Sequence, residues 1–413
     1  MAEEEETDVL LQRVVKDINN AFKRNPNIDE VGLIACPEAR YNRSPVVMVD
    51  NKLGLESWCV KLLLPYVHNR LLRYRQHKLW MDREALLDIT CTLLLLNPDF
   101  TTAWNVRKEM LQSGALRPER DLYLGQLALT KFPKSPETWI HRRWVLQQVL
   151  REGCVGDRKL PGGPAPGPTA GPASQDRLQR TLNAEMKVCS DAAGRYPSNY
   201  NAWSHRIWVL ENMAKGNLKV LHDELYSMGV WVSMHVSDHS GFHYRQFLLK
   251  ALVQELSQSP GSPPPSPDPQ ANGEGGATPL EGLSWVAGAP QLFQQEMELC
   301  SNLIQAYPGH ETLWSHRRHV FYLWHHWRRE HPGQDSPHPN TPTRGSSPPL
   351  SPTIRSGPAL EEDGDPLDTK RLRRGPPLPL ELGFVAGVLD GCSTEQGRFA
   401  RAYRKWLDSV IGQ

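Results

Sequence analysis

The 413-residue sequence lacks the features that mark several common classes of protein. Its seven cysteines are scattered, odd in number and without a C-x-x-C pair, which argues against a disulfide framework or a zinc knuckle. No apolar run approaches the ~20 residues of a membrane-spanning helix, and the acidic amino end, 1–6, has no apolar signal region. A net charge of +1 gives no argument for a nucleic acid partner. These absences together predict a cytoplasmic protein with reduced thiols.

Motifs of self-contained enzymes are absent as well. The sequence has no Gly-x-Ser-x-Gly elbow, no Walker-type loop, no Gly-x-Gly-x-x-Gly after a strand and no HExxH helix. Composition and spacing alone therefore predict a helical scaffold rather than a complete catalyst.

What the sequence does contain is one spacing that recurs five times. A proline is followed after six residues by an aromatic side chain, and after three more by an arginine. The copies are Pro98/Trp104/Arg107, Pro133/Trp139/Arg142, Pro197/Trp203/Arg206 and Pro308/Trp314/Arg317, with a degenerate copy at Val236/Phe242/Arg245. Such regular recurrence is typical of a repeat protein.

Each copy predicts a helical hairpin. An apolar run with helical spacing precedes the proline, which ends the first helix because it lacks an amide donor and crowds the preceding turn. Small polar residues then offer caps for a second helix, namely Thr101, Ser135, Ser198 and Asn199. A hairpin has one apolar face that it cannot bury alone. Stacking therefore predicts an all-α fold, a right-handed α-solenoid with the shape of a crescent.

The repeats are expected to occupy 82–329. Before them, 1–81 predicts a helix over Val9–Lys23, whose stripe is Val9, Leu10, Val14, Ile18 and Phe22. An irregular segment with at most a short extended piece follows, and then a helix over Gly54–His77, bent near Pro65. Asp82 is placed to cap the first helix of the repeats.

Three stretches rich in proline, glycine and serine interrupt or follow the repeats. Disorder is predicted for inserts at about 153–175 and 257–289 and for a linker at 330–380, because they bury little apolar surface. The basic run 370–374 is interpreted as a solvated charge run rather than a nuclear import signal. At 381–413 a helical stripe predicts a capping helix for the last repeat.

The recurring polar side chains favour structural roles. The histidines at 141, 205 and 316 occur once per repeat, too far apart to bind one metal ion. The signature arginines are expected to pair with carbonyls or carboxylates of adjacent hairpins, with their stems against the aromatic rings. These arginines are Arg107, Arg142, Arg206, Arg245 and Arg317.

One copy carries a recognisable family motif. Residues 197–208 read PSNYNAWSHRIW and match Pro-x-Asn-Tyr-x-x-Trp-x-x-Arg, in which Asn199 and Tyr200 complete the pattern around Trp203. The chain resembles the protein prenyltransferase α subunits, whose hairpins carry this motif. The resemblance spans nearly all of the chain outside the three low-complexity stretches, and the flanks 39–45 and 399–406 narrow it to an orphan member of that family.

The resemblance implies a subunit that is inactive alone. It would be the α subunit of a heterodimeric protein geranylgeranyltransferase, wrapped around a β subunit of the Rab geranylgeranyltransferase type. Zinc and geranylgeranyl diphosphate would bind to the β subunit, and no cofactor would bind to this chain. The complex would transfer geranylgeranyl to cysteines near the carboxyl ends of proteins, including a SNARE already farnesylated on a neighbouring cysteine and an F-box protein.

The resemblance also implies one chemical role, for Lys134, five residues before Trp139. In the family a lysine at this position reaches toward the isoprenoid diphosphate, where it would offset the charge of the leaving group. Pro136 stands where the family has a tyrosine, and Asn201 stands where it often has a histidine. An exposed structural lysine remains the alternative for Lys134, and a non-catalytic adaptor in membrane trafficking remains the alternative function.

Overall fold

The structure, a computed structural model, describes residues 2–38, 43–77, 80–156, 172–258, 288–331, 378–391 and 393–411. The chain forms two compact units, Met1–Lys215 and Gly216–Gln413. Both are built mainly from antiparallel helical hairpins, and the predicted all-α fold is confirmed.

The first unit consists of eight α-helices, a short π-helical turn and a small sheet among its described residues. The elements are α1 Ala2–Arg24, β1 Glu30–Ile34, β2 Val46–Val49, β3 Lys52–Glu56, α2 Ser57–Arg75, α3 Arg83–Leu96, α4 Thr101–Gln112, α5 Pro118–Lys131, α6 Pro136–Gly156, α7 Pro172–Arg195, α8 Tyr200–Val209 and the π turn Leu210–Ala214. Helices α3/α4, α5/α6 and α7/α8 form hairpins. The first helices α3, α5 and α7 pack in one layer, and α4, α6 and α8 pack in a second layer.

The second unit repeats this arrangement. Its described elements are α9 Leu218–Met234, α10 His239–Gln258, α11 Ala289–Ala306, α12 Glu311–Glu330, α13 Leu378–Asp390 and α14 Thr394–Ile411. Helices α9/α10, α11/α12 and α13/α14 are hairpins, and α10, α12 and α14 pack side by side. Stacked hairpins of this kind constitute an α-solenoid fold.

The six-residue spacing between proline and tryptophan has a direct cause. Trp104 Nε1 donates to the carbonyl oxygen of Pro98 at 2.7 Å, and Trp139 Nε1 donates to that of Pro133 at 3.1 Å. In these two copies the indole thus donates to a carbonyl in the turn that precedes its own helix. In the last copy Trp314 Nε1 instead lies 3.4 Å from Gln396 Oε1, on α14.

Several capping residues behave as the sequence predicts. The Asp82 carboxylate accepts from the Ala85 amide at 2.7 Å, and the Asn199 side chain accepts from the Ala202 amide at 3.3 Å. Ser135 Oγ accepts from the Thr138 amide at 3.3 Å. By contrast, no side chain caps the start of α4, and Thr101 is simply its first residue.

The segment predicted to be irregular contains a three-stranded sheet, so that prediction was wrong. The strand order is β1-β3-β2, with β1 parallel and β2 antiparallel to β3. The strands are four or five residues long, too short for alternation to be distinguished from a loop. The sheet is fastened to α5, because Tyr123 Oη donates to the Ile28 carbonyl at 2.6 Å and Thr130 Oγ1 accepts from the Val31 amide at 3.2 Å.

The predicted stripe of α1 is partly wrong. Val14 and Ile18 are buried as expected, but Val9 is 58% exposed. The helix turns Leu11 and Val15 into the core instead. The helix predicted over Gly54–His77 is shorter, since Gly54–Glu56 pairs in the sheet as part of β3, and Pro65 lies inside α2.

The predicted capping helix at 381–413 is two helices. Helix α13 ends at Asp390, and Ser393 starts α14 by accepting from the Gln396 amide at 3.4 Å. The predicted inserts and the linker, with the basic run 370–374, lie largely outside the described residues. Where the first insert overlaps them the structure is helical, because α6 reaches Gly156 and α7 begins at Pro172.

Candidate functional site

Within each of the two units, buried ion-pair clusters join successive hairpins. In the first unit the Arg142 guanidinium donates to Glu185 of the following hairpin, with Nε at 2.8 Å from Oε1 and Nη2 at 2.6 Å from Oε2. The third nitrogen of this guanidinium, Nη1, donates to the Leu122 carbonyl of its own hairpin at 2.5 Å. His205 Nε2 approaches Glu185 to 3.5 Å, and its ring packs 4.9 Å from that of Trp139.

The same inter-hairpin cluster is repeated with other residues. Each cluster consists of a signature arginine, a carboxylate of the next hairpin, and a histidine or tyrosine that is hydrogen-bonded to that carboxylate. The other clusters are Arg107/Asp121/His141, with both contacts at 2.6 Å; Arg245/Glu296/His316, at 2.6 and 2.7 Å; and Arg317/Glu381/Tyr403, at 2.6 and 2.7 Å. The remaining signature arginine, Arg206, donates to the Met186 carbonyl at 2.8 Å and to Ser190 Oγ at 2.6 Å.

These clusters shift the pKa values of their members. Burial alone would raise the pKa of Glu185 and Glu296, but the adjacent arginine and histidine outweigh it and lower the pKa of each to about 2. Burial lowers the pKa of His141 and His205 despite their carboxylate neighbours. Each histidine is therefore neutral near pH 7. His205 Nδ1 accepts from Arg143 Nε at 3.3 Å, which places the imidazole proton on Nε2, facing Glu185.

The carboxylates were not identified from the sequence, although a signal exists. The carboxylate precedes its histidine or tyrosine partner by 20 residues in Asp121/His141, Glu224/Tyr244 and Glu296/His316. The distance from the arginine to its carboxylate varies with the inserts, from 14 residues for Arg107 to 64 for Arg317. A search for the carboxylate at a fixed distance after the arginine therefore fails. A search for it 20 residues before the histidine succeeds.

Lys134 lies exposed in the turn between α5 and α6, and the next hairpin fixes that turn. Asn199 Nδ2 donates to the Pro133 carbonyl at 2.8 Å, and Asn201 Nδ2 donates to the Lys134 carbonyl at 2.8 Å. Lys134 Nζ lies 4.0 Å from the centre of the Tyr196 ring, within the range of a cation–π interaction. The structure therefore brings Lys134 and Asn201 together, two positions that the family resemblance singles out.

In the described part of the chain we find neither a candidate metal site nor a candidate membrane-spanning helix. Among these residues no group of three or more histidine, cysteine, aspartate or glutamate side chains is placed to hold a metal ion. No described helix is both long and apolar enough to cross a membrane. The clusters are buried inside the stack, so Lys134 and its surroundings form the candidate site.

Comparison with protein families agrees with the repeat pattern. The model of the protein prenyltransferase alpha subunit repeat matches residues 118–149, 182–213, 221–252 and 293–324. These ranges contain the copies at Trp139, Trp203, Phe242 and Trp314. Each range begins in the first helix of a hairpin and ends in the second, except 182–213, which ends in the π turn after α8.

Several known proteins are similar to this chain over its whole length. A Danio rerio protein named protein prenyltransferase alpha subunit repeat-containing protein 1 is 63% identical over 432 residues, covering 100% of both chains. A Homo sapiens protein of the same name is 54% identical and covers 98% of both. The Rattus norvegicus geranylgeranyl transferase type-2 subunit alpha is 25% identical over 186 residues, which are 43% of this chain and 27% of that protein. By its repeats and by these full-length similarities, the chain belongs to the family of protein prenyltransferase alpha subunit repeat-containing proteins.

Proposed function

We propose that the chain is the α subunit of a heterodimeric protein geranylgeranyltransferase and is inactive alone. Its partner in this proposal is a β subunit of the Rab geranylgeranyltransferase type, in the cytoplasm. The similarity to a geranylgeranyl transferase alpha subunit supports this choice. The observation that carries it is Lys134, an exposed lysine in a turn that two asparagines of the next hairpin hold in place.

The chemistry assigned to this chain is electrostatic. In the transfer, a bond forms between the sulfur of a protein cysteine and C1 of the isoprenoid, while the bond from C1 to the diphosphate oxygen breaks and the diphosphate leaves. Negative charge grows on the departing oxygen, and the Lys134 ammonium would offset it. The zinc that lowers the pKa of the cysteine thiol, and the isoprenoid pocket, are assigned to the β subunit.

The proposed substrates are proteins with cysteines near their carboxyl ends. They include a SNARE already farnesylated on a neighbouring cysteine and an F-box protein. The chain's contribution would be to position Lys134 beside the diphosphate and to hold the β subunit.

The test is a Lys134→Ala variant in the purified complex with the β subunit. Removing one preorganised charge of this kind typically lowers kcat about 100-fold, so we expect a loss of that order with unchanged complex formation. Lys134→Arg should retain part of the activity because it retains the charge. Lys187→Ala provides the matched control, since Lys187 is exposed on α7 and pairs with Asp191 of its own helix. Equal turnover by the Lys134→Ala and wild-type complexes would contradict the catalytic role.

A non-catalytic adaptor is the second candidate, and two substitutions favour it. Pro136 and Asn201 replace the tyrosine and the histidine that the family has at these positions, and Asn201 is engaged with a backbone carbonyl. An adaptor would bind its trafficking partners with or without Lys134. Complex formation without any transfer of labelled geranylgeranyl to protein cysteines would select this alternative.

A further inference from the structure

The exposed face shared by α6 and α8 combines apolar side chains with polar neighbours. Ile140 on α6 is 53% exposed, and Tyr200 on α8 is 68% exposed. Half-buried tryptophans continue the face, at Trp144 and Trp208. Each tryptophan stacks on the histidine of an inter-hairpin cluster, so the buried clusters hold the rings of this face in fixed positions.

Arg143 also lies on this face. Unlike its neighbour Arg142, which donates to the Glu185 carboxylate, Arg143 donates to uncharged groups. Its guanidinium donates to Ser204 Oγ at 3.0 Å and to His205 Nδ1 at 3.3 Å, and both acceptors are uncharged. In the described part of the chain no carboxylate forms an ion pair with Arg143, and Glu211 acts on it only from a greater distance. Because the side chain is half-buried, its charge is partly desolvated without a counter-ion.

We propose that the α6/α8 face, composed of Ile140, Arg143, Trp144, Tyr200 and Trp208, is the docking surface for the partner subunit, which presents a carboxylate to Arg143. The inference rests on the proposed function, because the partner is the β subunit named there. It adds which helices of this chain the partner covers and which chemical group on the partner anchors it.

Composition and charge both favour a protein over other anionic partners. Tyrosine, tryptophan and arginine are the side chains that dominate binding energy at protein interfaces, and planar guanidinium groups pair well with carboxylates. A polyanion fits less well, since the face presents one arginine and the Glu211 carboxylate already acts on that arginine. One carboxylate set among apolar contacts matches this surface best.

The face also continues to the candidate site. Asn201 and Tyr200 are adjacent in α8, and the Asn201 side chain holds the carbonyl of Lys134 at the start of α6. A partner seated on the α6/α8 face would therefore reach Lys134. This continuity is what a site shared between two subunits requires.

The proposal is tested by the affinity of full-length variants for the purified β subunit. Arg143→Glu should raise Kd at least about tenfold, the effect of losing a hot-spot residue, and Arg143→Lys should raise it less. Tyr200→Ala and Ile140→Asp alter exposed side chains and should each weaken binding without unfolding the chain, which thermal melting verifies. The control is Arg180→Glu, because Arg180 is 73% exposed on α7 and pairs with Asp176 in the same helix.

The outcomes separate this inference from the proposed function. Tight binding by the wild-type chain, with unchanged Kd for Arg143→Glu and Tyr200→Ala, would overturn the docking surface and leave the α-subunit proposal standing. No binding by the wild-type chain would overturn both. Weakened binding by the α6/α8 variants but not by Arg180→Glu is the result that supports the surface.

Discussion

At the scale of single residues, the signature arginine works through a carboxylate that lies in another hairpin. Arg142 and Glu185 are 43 residues apart in sequence, and their side chains are 3% and 2% exposed. Two charged side chains can be buried this deeply only because each neutralises the charge of the other. The pair therefore ties two hairpins together in a single register.

Removing one member of this pair should destabilise the chain strongly. Arg142→Ala leaves Glu185 charged and buried without its main partner, and such losses typically cost about 3–5 kcal/mol. Urea unfolding followed by circular dichroism measures the free energy. Replacing both members, as Arg142→Met with Glu185→Leu, should recover much of the loss because no charge remains buried.

An exposed ion pair on the same helix provides the control. Lys187 and Asp191 pair at 2.9 Å but are 71% and 48% exposed, so Lys187→Ala should cost no more than about 0.5 kcal/mol. Equal losses for Lys187→Ala and Arg142→Ala would contradict the structural role of the buried cluster.

Stability should also fall in mild acid. The pKa values of His141 and His205 are lowered in the folded chain, and the pKa of His319 is lowered to about 4, in each case mainly by burial. A group with a depressed folded pKa contributes stability above its unfolded pKa and loses that contribution as the pH falls. For these histidines the loss begins near pH 6.5, the ordinary value for histidine.

The carboxylates extend the same trend to lower pH. Glu185 and Glu296, with pKa values of about 2 in the folded chain, lose their contribution between about pH 4.5 and pH 2. Melting temperatures measured from pH 7 to pH 4 should therefore decrease steadily. A melting temperature that stays constant from pH 7 to pH 5 would show that the histidines are not held neutral by burial.

Sequence spacing predicts the signature side chains, and that the arginines pair with carbonyls or carboxylates of adjacent hairpins, but not which carboxylate each arginine contacts. The aromatic, the arginine and the histidine lie in one helix, where a spacing of three to four residues is a physical neighbour relation. Asp121, Glu185, Glu296 and Glu381 lie in the first helix of the following hairpin, and variable loops separate them from the arginine. Contacts across hairpins are fixed by packing, which composition and periodicity do not reveal.

At the scale of elements, the turn between α7 and α8 has two functions. Asn199 is fully buried, and it accepts from the Ala202 amide while donating to the carbonyls of Pro133 and Ala192. It therefore caps α8 and also holds the preceding hairpin's turn. Among the described residues, the Asp82 side chain caps α3 through the Ala85 amide and bonds to no other hairpin.

These two caps should differ in their contribution to stability. Asp82→Ala should cost about 1 kcal/mol, the usual loss for a helix cap. Asn199→Ala should cost about 1–3 kcal/mol more, since it also removes the side-chain donor to the Ala192 carbonyl and one of the two donors to the Pro133 carbonyl. Urea unfolding of the two variants provides the comparison. An Asn199→Ala loss no larger than that of Asp82→Ala would show that the bonds between the turns contribute little.

Short elements were the hardest to predict from sequence. The three strands contain glycines and charged residues, and their pairing joins Glu30–Ile34 to Lys52–Glu56 across an intervening segment. Contacts with α5, through Tyr123 and Thr130, help to hold β1 in this pairing, and they are not visible in the local sequence. The helical hairpins were easier to predict, since proline, cap and apolar period agree within one short stretch.

At the scale of the whole molecule, repetition continues beyond the recognisable motif. Helices α13 and α14 lack the proline, tryptophan and arginine of the other copies, but Glu381 and Tyr403 complete a cluster with Arg317. The hairpin α13/α14 thus supplies the carboxylate that neutralises the buried Arg317 of the preceding hairpin.

The division into two units falls inside the repeat region, at Lys215 and Gly216. Lys134, Arg143 and the α6/α8 face all lie in the first unit. The residues proposed to contact the diphosphate and the partner's carboxylate therefore belong to one compact unit. The experiments on them nevertheless use the full chain.

The α-subunit proposal is tested most directly by light scattering of the chain mixed with a purified Rab-type β subunit. We expect a single species whose mass equals one copy of each chain, and we expect that species to transfer labelled geranylgeranyl to protein cysteines when neither chain does so alone. Two separate species at micromolar concentrations, each with the mass of its own chain, would contradict the proposal.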